Sequence, residues 1–302
     1  MLVFAASHKG GTGRTVTSCN IAYHLAHRRN VAYLDFDFGS PTAGAIFEMA
    51  KVERGADRDG LHSYVEGRAT DPRQFDVWQN SSRDHLRTAN ARAHRLTLFP
   101  GDKGGAEFSI SPDKVDRCVE LFARLDMEYD VCVIDLSAGR SSAVEMALRA
   151  TAARALRSVA ARWLVFHRWT QQHIVAAHDL VFDPRGLLDV GANAGHDQDE
   201  LLDSIRFVRT AVPNLNSPLL TDSPAQATWL RVCAEELKKL ANRHKLGRSR
   251  TLGSTPMEPV LQWREQVISD ADVAARIANQ ETVAAFRELA DKLTDNTWWE
   301  KL

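Results

Sequence analysis

Cysteine is scarce in this chain. Four residues, Cys19, Cys118, Cys132 and Cys233, are scattered through 302 positions with no C-x-x-C pair. That excludes a disulfide framework or a zinc ribbon and fits a reducing compartment. An excess of charge is lacking too: 38 bases face 39 acids, a net charge of -1, so any attraction for a polyanion must come from local patches. Long apolar runs are also missing. The opening MLVFAASHKGG is too short for a signal peptide or a membrane span, so the expectation is a cytoplasmic chain. There is no internal repeat and no low-complexity linker that would separate domains.

What is present is a well-buried composition, 44% hydrophobic and 25% charged, arranged as short apolar runs between segments of helical period. The runs at 2–7, 31–37, 95–102, 130–139, 161–167 and 204–210 read as strands. Helical spacing follows the first of them at 14–30 and precedes the fourth at 115–125. Strand, glycine turn, helix, strand is a βαβ unit, and the whole pattern predicts an α/β fold, a doubly wound, mostly parallel sheet flanked by helices. We expect one domain over 1–302, with loop insertions near 51–60 and 186–200 and a helical C-terminal part, 224–302.

The first strand ends in SHKGGTGRT, Ser7 to Thr15. A glycine-rich turn between a buried strand and a helix gathers backbone N–H groups and the positive end of the helix dipole around one point, which suits a phosphate chain. The general loop G-x-x-x-x-G-K-[ST] is missed twice, because His8 stands at its first glycine and Arg14 at its lysine.

Another pattern fits better. Lys9, Gly10, Gly11, Thr12, Gly13, Arg14 and Thr15 resemble the deviant phosphate loop K-G-G-x-G-K-[ST] of the ParA and MinD family of P-loop ATPases, with one substitution. VAYLDFDFGSPT resembles that family's second strand and first switch, and YDVCVIDLSAG its Walker B strand and second switch. LTLFPGD, GLHSYVEG and STPMEPVLQWREQV resemble later family segments in family order. The resemblance implies ATP and Mg2+ as cofactors. Lys9 would reach across a nucleotide-sandwich homodimer, and Asp37 would orient the attacking water; these are the catalytic candidates. Gly10 to Val16 would cradle the phosphates, with Arg209 and Pro256 near the base. Thr15, Asp35 and Asp135 would hold the metal.

Arginine presents a longer, planar fork than lysine with the same charge. Triphosphate binding needs positive charge and N–H donors, so it should survive the change. Hydrolysis is more exacting, since a misplacement of about 1 Å costs on the order of a hundredfold. The expectation is a nucleotide-dependent dimerisation switch with slow or absent turnover. The alternative is a scaffold that keeps the fold without nucleotide and acts only through protein partners.

Two basic regions, 140–168 and 238–250, could bind DNA without sequence preference, although a solvated helix face explains them as well. The C-terminal segment 281–302 carries Trp298 and Trp299 among five acids and three bases, the wrong balance for an interfacial anchor. Membrane attachment is therefore disfavoured. Cys118 and Cys132 are unsuited to an iron–sulfur cluster, and His167, His173 and His178 form no metal-ligand spacing.

Overall fold

A computed structural model describes residues 1–89, 94–215 and 223–300. Its strands are β1 (Leu2–Ala6), β2 (Val31–Phe36), β3 (Phe75–Asp76), β4 (Leu96–Phe99), β5 (Val131–Leu136), β6 (Ala161–Arg168), β7 (Ile205–Val212) and β8 (Thr251–Pro256). They form one eight-stranded sheet in the order β3-β4-β2-β5-β1-β6-β7-β8. Every neighbouring pair is parallel except the two-residue edge strand β3, which runs antiparallel to β4.

The central strands are apolar but for Asp35 and Asp135 near their carboxyl ends, because helices cover both faces. LVFAA, VAYLDF and VCVIDL are buried at every position. Side chains alternate between two core layers. Leu2, Phe4, Ile134 and Phe207 face one side, beneath the helices Pro112–Glu128, Ser142–Ala152 and Gln171–Phe182. Val3, Ala5, Tyr33, Val133 and Val208 face the other, beneath α1 (Arg14–Leu25) and Gln280–Thr294. Eleven of the twelve residues of α1 are buried, so this helix lies inside the molecule and has no solvent face of any width.

Two expectations need correction. The segment expected to be a loop near 186–200 is two helices, Leu187–Ala194 and the start of Gln198–Asp203. Its small residues serve close packing: a side chain added at Gly191 would strike Leu201. The second helix is capped by Asp197, whose side chain accepts from the Asp199 and Glu200 N–H groups. The C-terminal part expected to be helical contains β8, which adds to the sheet edge beside β7. Lys301 and Leu302 of the C-terminal segment lie outside the described residues. Trp299 packs on the sheet's flank beneath the guanidinium groups of Arg162 and Arg206. No helix among the described residues is long and apolar enough to cross a membrane.

Candidate phosphate-binding site

Because β1 lies between β5 and β6, the loop after it emerges at the carboxyl end of the sheet's middle, where doubly wound sheets gather ligands. Gly11 and Gly13 have φ of 69° and 74°, a left-handed backbone that glycine adopts without strain. The loop is tied down on both sides. Gly139 N–H donates to the Ser7 carbonyl at 2.8 Å, and the Thr210 hydroxyl donates to the Thr12 carbonyl at 2.5 Å.

Two adjoining cavities open around this loop. One, of 190 Å³, is lined by Ser7, Gly10 to Val16, Asp37, Ser40, Thr42, Ala138 and Glu265. The other, of 290 Å³, runs from Gly11, Thr12, Gly13 and Val16 to Thr210, Thr255, Pro256 and Glu258. Loop backbone at a helix N-terminus forms part of the wall of the first, which suits a phosphate chain, with Asp37 and Glu265 beside it. A nucleoside suits the second, which is wider and partly apolar.

Arg14 borders the first cavity, but its N–H donors are turned inward. Its side chain is only 6% exposed, and its guanidinium turns inward to the strand ends. Nε donates to Asp135 Oδ1 at 2.5 Å, and Nη2 donates to Asp37 Oδ2 at 2.9 Å. Nη2 also reaches Thr15 Oγ1 at 3.4 Å, and Nη1 reaches Ser7 Oγ at 3.3 Å. The two carboxylates raise its pKa against the lowering effect of burial.

The carboxylates differ in state. Asp35 and Asp135 are directly opposite one another on β2 and β5, and both are buried. Burial, and then the charge of Asp135, push Asp35 up to about 8, so it holds a proton at neutral pH. Its oxygens accept from the N–H groups of Asp37 and Ala43, which fixes the turn after β2. Burial also raises Asp135, while Arg14 draws it back down. Its Oδ2 has no hydrogen-bond partner among the described residues.

The other expected residues divide clearly. Lys9 is exposed and makes no side-chain hydrogen bond or ion pair with a described residue, so its ammonium is available to something outside the protomer. Pro256 lines the second cavity. Arg209 does not, since successive side chains on a strand face opposite ways. Thr210 turns to the loop, whereas Arg209 turns to the far side, 4.3 Å over the Trp169 ring and donating to the Leu246 carbonyl. Thr210 and Glu265 are site residues that the sequence reading did not pick out. The alternation of β7, counted from Arg209, was the available signal for the first.

Mg2+ is a poor fit to the donors as arranged. Of its expected ligands, Asp35 is spent on backbone N–H groups, and Thr15 and Asp135 lie against the Arg14 guanidinium. Asp35, Asp37 and Asp135 do not bring three ligand atoms together. Among the described residues only His178, Asp179 and Asp183 do, and there His178 Nδ1 already meets the His244 carbonyl while Arg140 stands 3.9 Å from Asp183.

The basic region 140–168 is not one stripe. Arg162 is buried, bound to the Leu293 carbonyl and to Asn296, and Arg149 pairs with Glu145. In 238–250, Lys239, Arg243, Lys245 and Arg248 are exposed.

Residues 3–228 match the family model described as the CobQ/CobB/MinD/ParA nucleotide binding domain. Among solved structures, the MinD cell division protein of Aquifex aeolicus is similar at a TM-score of 0.60 and 17% identity, covering 97% of this chain and 96% of that one. A protein described as a plasmid partition protein of Borrelia burgdorferi B31, bound to AMPPNP, is similar at 0.59 and 13%, with 97% of each chain covered. The septum site-determining protein MinD of Pyrococcus horikoshii OT3, complexed with Mg-ADP, is similar at 0.50 and 15%, covering 98% and 96%. No curated protein matches the chain significantly in sequence.

Proposed function

The chain belongs to the CobQ/CobB/MinD/ParA nucleotide-binding family, and on that premise we propose that it is a cytoplasmic, ATP-dependent dimerisation switch with slow or absent hydrolysis. The observation that carries this reading is the pair of adjoining cavities around Gly10 to Val16, the size and position of which support a phosphate chain in one and a nucleoside in the other. The nucleotides held by the similar proteins, AMPPNP and Mg-ADP, support it.

In this reading the loop N–H groups hold the phosphates, Val16 and Pro256 flank the nucleoside, and Lys9 of each protomer contacts the nucleotide of the other. Slow turnover follows from Arg14 and Asp37. The carboxylate expected to orient water is engaged by a guanidinium, and Arg14, at the position of the usual loop lysine, is turned away from the charge that develops on the transferred phosphoryl group. The dimer would position a protein partner. Nonspecific DNA contact is assigned to 238–250, and a salt-titrated shift assay checks it.

The test is calorimetric titration with ATP, ADP and GTP, with light scattering for dimerisation and Lys9→Ala alongside. ATP binding followed by dimer formation is the expected result. Absence of affinity for all three nucleotides, and of any thermal shift at saturation, would leave the nucleotide-free scaffold as the better description.

A further inference from the structure

Arg14 touches a particular set of groups: Thr15 Oγ1, Asp37 Oδ2, Asp135 Oδ1 and Ser7 Oγ, at 2.5 to 3.4 Å. Two of these, the Thr15 hydroxyl and the Asp135 carboxylate, are oxygens that would otherwise approach a divalent cation from the protein side. The guanidinium thus spends four of its five N–H donors on oxygens at the ends of β1, β2 and β5 and in the loop itself.

We propose that Arg14 takes the place of the divalent cation, and that the chain binds its nucleoside phosphate without a metal. This inference rests on the nucleotide-binding reading above. A divalent ion entering the site would meet a positive charge already seated between Asp37 and Asp135 in a low-dielectric setting, where like charges repel strongly. It would also have to displace that charge from two short, charge-assisted bonds.

The carboxylates show why one cation suffices. Three of them, Asp35, Asp37 and Asp135, lie at the ends of two adjacent strands. Asp35 is taken up by the N–H groups of Asp37 and Ala43, and Arg14 bonds to the other two. The nucleotide then meets a site whose acidic floor is already covered. Its phosphates are bound by the backbone N–H groups of the loop and by Lys9, with no metal needed to shield them from Asp135.

The experiment is fluorescence titration of the full chain with a mant-labelled ADP or ATP, once in EDTA and once in excess MgCl2, with calorimetric titration of MgCl2 into the nucleotide-free protein. We expect affinities within about twofold of each other in the two buffers, and no metal-binding heat. Arg14→Lys, which restores a compact cation unable to span both carboxylates, should bind more tightly in magnesium than in EDTA by about tenfold or more. If that variant does not fold, the wild-type comparison decides alone. A wild-type affinity that rises about tenfold or more on adding magnesium overturns the inference and leaves the nucleotide switch standing. Absence of binding in both buffers overturns the switch and the inference with it.

Discussion

The Arg14 guanidinium and the Asp135 carboxylate meet across 121 positions of sequence, Nε to Oδ1 at 2.5 Å, with Asp135 fully buried and Arg14 nearly so. A buried pair of this kind is costly to break from one side, because the partner left behind is an uncompensated charge.

Arg14→Ala should therefore destabilise the chain by about 3–5 kcal/mol, read as a lower urea midpoint with an unchanged slope. The double variant Arg14→Met with Asp135→Asn removes both charges and should cost less than the two single variants added together. Strict additivity in that cycle would mean that the two side chains do not interact.

Asp35 gives a pH signature. In the native chain burial and the Asp135 charge keep its proton in place up to about 8, against an ordinary value of 3.8. Between those two values the native state holds more protons than the unfolded state, so raising pH favours unfolding through this group. Asp35→Asn has no proton to lose. Its Tm relative to wild type should improve steadily from about pH 5 to about pH 8; a difference that stays flat over that window would show Asp35 to be an ordinary ionised carboxylate.

Lys9 supports nothing inside its own protomer. Lys9→Ala should leave monomer stability within about 0.5 kcal/mol and abolish ATP-driven dimerisation in multi-angle light scattering. A dimer of undiminished affinity would remove Lys9 from the interface.

The arginines of 140–168 should separate in a thermal scan. Arg162→Ala strips the Leu293 carbonyl and Asn296 of their donor and uncovers Trp299, at a cost of about 1–3 kcal/mol. Arg154 and Arg157 are exposed, and their alanine variants should stay within about 0.5 kcal/mol of wild type. Equal effects at all three positions would restore the picture of a uniform surface stripe.

Much of this arrangement was legible in the sequence, and for a clear reason. Apolar runs closed by glycine or aspartate mark buried parallel strands with their polar ends at a site, and the resemblance to the ParA and MinD motifs is what gives Gly10 to Val16, Asp35, Asp37 and Asp135 their expected roles there. What escaped were features decided by packing across the chain. β8, TLGSTP, is buried only at Leu252 and Thr255 and carries glycine and proline, so nothing local separates it from a loop. The helix Leu187–Ala194 is rich in glycine and alanine because it packs closely, and composition alone reads that as flexibility. The direction of Arg14 is also set by packing across the chain. Residue type says that an arginine in such a loop meets phosphate, whereas its partners belong to strands 23 and 121 positions away, and only the fold brings their charges beside it.

The registry of Asp35 with Asp135 on neighbouring strands couples the protonation of the two carboxyls. Asp35 and Asp135 stand at one height and Arg14 bonds to Asp135, so the charge that acts on the Asp35 proton follows where that guanidinium sits. Any ligand that draws Arg14 outward leaves Asp135 without its counter-charge and raises its affinity for a proton, so binding takes one up from solution. A site in which Arg14 stands in for the cation keeps it seated on Asp135, so nucleotide binding at one pH should give the same heat in phosphate and in Tris, and a heat that follows the buffer's ionisation enthalpy would show the guanidinium moving outward.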